Sequence, residues 1–169
     1  MLLFSEADNN VPSDKMDDWL YIILISMLPW IELRGGIPYG ILKAGFDPVL
    51  VTAAAVLGNV AIIYPAFIFL DWFFDQLNRI PFMSKTIEKT HEKARPYIER
   101  YGMLGLGVFV AVPLPGTGAY SGALAAHLFG MKNRAAFVSI ALGVLGAGII
   151  VLVVTLFFRE SLGFLIKTV

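Results

Sequence analysis

The 169-residue chain contains no cysteine, which excludes disulfide frameworks, thiolate nucleophiles and zinc sites built on cysteine. It also lacks any surplus of charge. Its 13 Lys+Arg are matched by 13 Asp+Glu, so neither the basic balance of a nucleic-acid binder nor the acidity of a disordered tail is present. The sequence has no HExxH and no carboxylate pair set for acid–base work, and Ser121 with His127 is too slight a base for a dyad. No enzymatic activity, cofactor, metal or nucleic-acid partner is therefore expected. Basic residues are missing from the extreme N-terminus, where a short apolar run leads into Glu6, Asp8, Asp14, Asp17 and Asp18; this reads as no cleavable signal peptide.

What the chain has in abundance is apolar residues. It is 57% hydrophobic, with mean hydropathy +0.74 and only 15% charged residues, well above the apolar share of soluble domains. Residues 48–70, 101–130 and 135–158 carry no Asp, Glu, Lys or Arg, and 19–42 carries only Glu32 and Arg34. A helix of about 20 residues crosses the hydrocarbon core, so four such stretches predict an all-α integral membrane protein surrounded by lipids.

Two of the stretches read as ordinary spanning helices. Residues 48–70 have only Pro65 in the interior, and 135–158 have no proline. Each carries small residues four apart, Ala54 with Gly58 and Ser139 with Gly143 and Ala147, which suit close helix packing in lipid or reflect how common Gly and Ala are there. The other two stretches are interrupted: 19–42 by Pro29, Gly35, Gly36, Pro38 and Gly40, and 101–130 by Pro113, Pro115, Gly116 and Gly118. Proline removes an amide donor and clashes with the preceding turn, so both should break at mid-length. Broken backbone is tolerated within a membrane only where protein buries it or where it lines a watery cavity; re-entrant hairpins and kinked spanning helices both meet that demand.

The order of the pieces repeats. A broken stretch, a short turn (43–47) and a spanning helix make repeat 1 (19–70); after a charged linker (71–100), the same order, with a turn at 131–134, makes repeat 2 (101–158). If both broken stretches return to their own side, the single crossing between them makes the repeats inverted, the pattern of secondary transporters, whose Gly/Pro-interrupted segments point at the binding site. The linker, with six basic and five acidic residues, reads as an interfacial helix, with Ile87, Ala94, Tyr97 and Ile98 on the headgroups and His91 solvated. Counting Lys and Arg gives eight against four in the re-entrant arrangement and nine against three for four plain crossings, and either arrangement places the linker in the cytoplasm. Residues 1–18 form a polar N-terminal segment that reads as a further interfacial helix, with Asp14 as an N-cap, and 159–169 a polar tail.

Glu32 and Arg34 are the candidate working residues. An ionised group in a bilayer costs at least about 2.5–3.5 kcal/mol on insertion scales, so such residues usually mark a cavity, an ion path or a substrate contact. Beside Pro29, Gly35 and Gly36 an unwound backbone would let both face one cavity, Glu32 as proton acceptor and Arg34 as an anion-binding fork. A structural ion pair at the hairpin tip, or a boundary pair reaching interfacial water, remains the plainer alternative. Residues 113–118, ahead of a half-helix starting near Thr117, offer backbone amides to an anion, with Tyr120, Ser121 and His127 adding hydrogen bonds. Asn59 is either interhelical glue or a cavity wall.

At Glu32-Leu33-Arg34-Gly35-Gly36-Ile37-Pro38-Tyr39-Gly40, and again at Val112-Pro113-Leu114-Pro115-Gly116-Thr117-Gly118-Ala119-Tyr120-Ser121-Gly122, the chain resembles the small multidrug export family, a branch of the DedA superfamily of membrane proteins. Leu57-Gly58-Asn59 and Tyr101-Gly102 stand between the two motifs in the expected order. The resemblance implies two re-entrant hairpins, an intramembrane acid at Glu32 and arginine at Arg34, a homodimer, and the cytoplasmic membrane of a prokaryote. It also implies transport: proton-driven movement of a lipid phosphate or other amphipathic molecule, or efflux of hydrophobic cations. A membrane scaffold that transports nothing is the reading from another class.

Overall fold

The structure, a computed structural model, describes residues 11–78, 101–114, 116–131 and 133–167, and among these the chain is helix and turn with no strand. Helix α1 (Val11–Ser26) is followed by α2 (Leu33–Pro38), which runs on as a π-helical turn over Tyr39–Lys43. Helices α3 (Pro48–Ala61) and α4 (Ile63–Asn78) come next, then α5 (Tyr101–Ala111), α6 (Ala119–Leu128) and the 35-residue α7 (Asn133–Lys167). Two stretches, Pro48–Leu77 and Arg134–Ser161, are long and apolar enough to cross a membrane. The linker residues 79–100, with His91 and the apolar positions expected on the headgroups, lie outside the described residues, as do 1–10, Pro115 and Lys132.

Local chemistry explains the boundaries. Pro29 has no N–H for the Ile25 carbonyl; the Leu28 N–H reaches back to it at 3.2 Å in a tighter turn, and α1 ends. The second interruption runs over 112–118, where Pro113 likewise deprives Phe109 of a partner. Asp47 starts α3, its Oδ1 accepting from Val49 N at 2.9 Å and Leu50 N at 3.0 Å, with Pro48 in the first turn where its missing N–H costs nothing.

Three sequence expectations are corrected. Helix α1 already runs from Val11, so Asp14 sits inside its first turn instead of capping a helix; Pro12, suited to a first turn, lies ahead of it. The spanning stretch 48–70 is not one uninterrupted helix. Its ladder lapses at Ile62, three residues before Pro65, because the proline ring cannot pack over the Ala61 carbonyl one turn back. Finally, only Pro29 among the five residues expected to break the first stretch lies in the break at 27–32. Gly35, Gly36 and Pro38 lie in α2 and Gly40 in the wider π turn, whose start Pro38 marks and which Ala44 N–H closes on Tyr39 O at 3.1 Å.

Each interrupted stretch folds back on itself as an antiparallel helical hairpin. In the first, Ser26 faces Gly36, Ile22 faces Gly40, and Tyr39 OH donates to Asp18 at 2.8 Å. A side chain at Gly36 would overlap Ser26 Oγ, so the two arms touch backbone to backbone. In the second hairpin Val110 faces Gly122, and Leu106 borders the same cleft as Ala125 and Phe129. Both first arms run alongside a long helix in the same direction. For α1 and α3 the markers are the stacked rings of Trp19 and Phe46, 4.7 Å apart, and Asn59 Nδ2 donating to Ser26 O at 2.8 Å. For α5 and α7 they are Ser139 Oγ donating to Met103 O, and Val110 against Gly143. The long helices α3 and α7 pack in opposite directions, with Thr52 and Val56 against Gly148 while Asn59 shares a narrow gap with Val144.

The expected packing residues divide. Ser139, Gly143 and Ala147 do form the contact face of α7, whereas on α3 the buried positions are Val51, Thr52, Ala55, Val56, Gly58 and Asn59, and Ala54 is only half-buried. The core is apolar, led by Ile22, Ile37, Ile41, Val51, Ile63, Val110, Ile140 and Val144. The outer surface is apolar too, with Leu57, Tyr64, Leu104 and Phe157 each about two-thirds exposed or more, which suits lipid on the outside. Gly143 carries the closest helix contact of the second half: a Cβ there would lie 2.6 Å from Gly107 O and 2.7 Å from Val110 Cβ. Replacing Gly143 with Leu should cost at least about 1–3 kcal/mol by overpacking. Leu142→Val, on the exposed side of the same helix, should change stability by less than about 0.5 kcal/mol. Thermal unfolding in detergent measures both.

Candidate functional site

The two hairpin tips meet, and each supplies what the other's broken backbone lacks. A helix that stops inside a membrane leaves carbonyls at its end and amides at the next beginning without partners. At the end of α1, Ser26 O receives Asn59 Nδ2 from α3, and Met27 O receives the Tyr120 hydroxyl from α6 at 2.5 Å. At the start of α6, the Glu32 carboxylate lies against Gly118 and faces the Ala119 and Tyr120 amides, while Gly118 N–H donates to Ser121 Oγ at 2.7 Å. Glu32 is thus the cap of a helix that begins 87 residues after it in the chain, where it also complements the positive end of the helix dipole.

Two local features make this contact possible. Glu32 has φ 53°, ψ −155°, a backbone conformation that costs a non-glycine residue about 1–3 kcal/mol, and it aims the carboxylate across to α6. Opposite it stands Gly118, where any Cβ would overlap the carboxylate. Glu32 as a whole is only 5% exposed.

Arg34 forms the second tie. Its Nη2 donates to Thr117 O and, at 2.9 Å, to Thr117 Oγ1. Thr117 is itself the organiser of the second break: Oγ1 donates to Val112 O and Leu114 O and accepts from Leu114 N at 3.1 Å. Two buried polar atoms are left without partners, Arg34 Nε and Asn59 Oδ1. Both residues border a narrow gap between the tips that is too small to hold a water molecule, together with Glu32, Thr117 and Gly118.

Beside this junction opens a cavity of about 670 Å³. Its walls come from the first break (Pro29, Trp30, Glu32), from α4 (Pro65, Phe69) and from the first turns of α6 (Tyr120, Ser121, Leu124), with Arg34 and Thr117 at the back. It is lined mainly by apolar and aromatic groups with a few polar ones, the usual construction of a small-molecule site.

Of the residues expected from the sequence, Glu32, Arg34, Gly116, Thr117, Gly118, Tyr120 and Ser121 are brought together at this cavity. Asn59 serves both expected roles at once, bonding two helices and walling the narrow gap. Pro113 lies elsewhere, on a separate cavity against α2 and α7. His127 does not join the site: at the far end of α6 its Nδ1 meets Asp71 Oδ1 at 3.1 Å and its ring packs on Phe74, 4.4 Å between centroids. The helix start expected near Thr117 falls at Ala119, and the amides expected to hold an anion hold Glu32. Ser26, Met27, Trp30 and Phe69 were not singled out from the sequence. The first two act through backbone carbonyls, which leave no residue-type signal, and Trp30 and Phe69 resemble any other aromatic in an apolar run.

These features define a class: an all-helical membrane protein with two helical hairpins meeting tip to tip beside a ligand-sized cavity. A family model described as "Putative small multi-drug export protein" matches residues 32–150, more than two thirds of the chain, so the protein belongs to that family. The match begins at Glu32, the last residue of the first break, and runs through α2, α3, α4, the second break and α6 to about the middle of α7. No curated protein and no solved structure matched the chain.

The closeness of Gly118 to Glu32 gives a coupled prediction. Gly118→Ala should destabilise the protein by at least about 1–3 kcal/mol, since the methyl group and the carboxylate compete for one place. In an Glu32→Ala background the same substitution should cost under about 0.5 kcal/mol, so a double-mutant cycle by thermal unfolding should return a coupling larger than either error.

Proposed function

We propose that this protein is a membrane transporter that exports amphipathic small molecules, hydrophobic cations first among them, through the cavity where the two hairpin tips meet. The single observation that carries the reading is that cavity: about 670 Å³, walled by Trp30, Phe69 and Tyr120, with the ionisable residues Glu32 and Arg34 in its lining. Its volume lies within the range of about 300–1,000 Å³ typical of drug-sized ligands, and aromatic faces with one carboxylate suit a lipophilic cation. The family to which the chain belongs points to the same kind of cargo. A scaffold that only packs has no use for such a cavity.

In this reading the hairpins are re-entrant, and the two halves, each a hairpin beside a long helix, form an inverted repeat. The opposite packing directions of α3 and α7 support that arrangement. The likeness to DedA proteins belongs to the same proposal. A phosphate headgroup is less well served as cargo, because the α6 amides that would hold it already carry Glu32 and the Arg34 fork is engaged by Thr117. Glu32 is the carboxylate on the cavity wall and thus the group through which proton movement would couple to cargo: protonation weakens its hold on α6 and loosens the junction of the tips.

Purified protein in proteoliposomes should move tetraphenylphosphonium in response to an imposed pH gradient, and Glu32→Gln should reduce that gradient-driven rate at least tenfold. A fluorescent phosphatidic acid assayed in parallel should move more slowly than the cation. Transport by the wild type no faster than in empty liposomes would refute the function, and an undiminished response in Glu32→Gln would refute the coupling.

A further inference from the structure

Arg34 borders more than one cavity. On its other side lies a second space of about 350 Å³, lined by Arg34, Pro38, Leu42, Pro113, Val154 and Phe158 among others. Its construction mirrors that of the first. The first cavity takes the break of one half (Pro29, Trp30), the second hairpin arm of the other half (Tyr120, Leu124 of α6) and the later part of a long helical stretch (Pro65, Phe69 of α4). The second takes Pro113 from the other break, Pro38 and Leu42 from the second arm of the first hairpin, and Val154 and Phe158 from the later part of α7. The two spaces are built from corresponding elements with the halves exchanged.

Arg34 is the residue that lines both spaces. Its Nε and Asn59 Oδ1 are a buried donor and a buried acceptor without partners among the described residues, and an unpartnered buried polar group costs about 1–3 kcal/mol.

We infer that the 350 Å³ space is a second binding cavity for the same amphipathic cargo, adjoining the first at Arg34, the residue common to both. This rests on the transport reading above. The cavity is at the lower end of the volume that drug-sized ligands need, and its walls are apolar except for Arg34 and Thr155, whose hydroxyl donates to Val151 O at 2.7 Å. A lipophilic cation therefore meets a carboxylate in the first space and only a guanidinium in the second, so it should be held in the first and released from the second.

The chain's lack of cysteine allows a test on folded protein. Single-cysteine variants Val154→Cys, in the second cavity, and Leu124→Cys, in the first, are reconstituted and then labelled with a bulky maleimide. Labelled Val154→Cys should lose at least tenfold in tetraphenylphosphonium transport while its equilibrium dissociation constant for that cation changes less than twofold. Labelled Leu124→Cys should lose both. Each unlabelled variant serves as its own folding control. Full-rate transport by labelled Val154→Cys overturns the inference, and so does a change in oligomeric size on labelling, which would make the space an interface between copies. Absence of transport in the unlabelled proteins and the wild type alike would instead overturn the transport reading itself.

Discussion

The structure depends on one contact, the Glu32 carboxylate seated on the first amides of α6. Two chain breaks in an apolar helical bundle leave polar backbone groups outside the helix ladders, and each such group left unsatisfied away from water costs several kcal/mol. The chain solves this by pairing the breaks. Glu32 serves the amides that α6 exposes, Tyr120 and Asn59 serve the carbonyls that α1 exposes, and Arg34 ties Thr117, the hub of the second break, to the first hairpin. Neither hairpin could hold its tip alone.

The same contact explains why the ionised residues of this apolar region are these two, and why they stand two apart. On a regular helix they would face apart, but Glu32 adopts φ 53° in the break while Arg34 already lies in α2, so both reach the opposite tip from one side. Packing then holds the tips in register. Close contact at Gly36 and Gly122 narrows each hairpin, and Gly143 lets α5 lie against α7. The cavity beside the junction takes one wall from α4, through Pro65 and Phe69.

Much of this was legible in the sequence. Proline and glycine density located both interruptions, since their effect on a helix is local and needs no partner, and the isolation of Glu32 and Arg34 among apolar residues marked the site. The errors have physical causes. Gly36 looked like a breaker but serves close packing, a distinction that depends on Ser26 across the hairpin. The amides at 118–120 looked like an anion site, and their occupant proved to be a side chain of the same protein. His127 shares a helix with Tyr120 and Ser121 yet faces Asp71, a pairing set by how α4 docks on α6. Backbone acceptors such as Ser26 O and Met27 O have no signature in residue type at all.

The seat of Glu32 on α6 can be measured directly by amide hydrogen exchange in detergent or nanodiscs. The first amides of a helix ordinarily lack protection, so slow exchange at Ala119 and Tyr120 requires an acceptor from outside the helix. The account predicts that these two amides are protected in the wild type and exchange at least tenfold faster in Glu32→Ala, while the interior of α7 is unchanged. Rapid exchange at both in the wild type, or protection that survives the substitution, would contradict it.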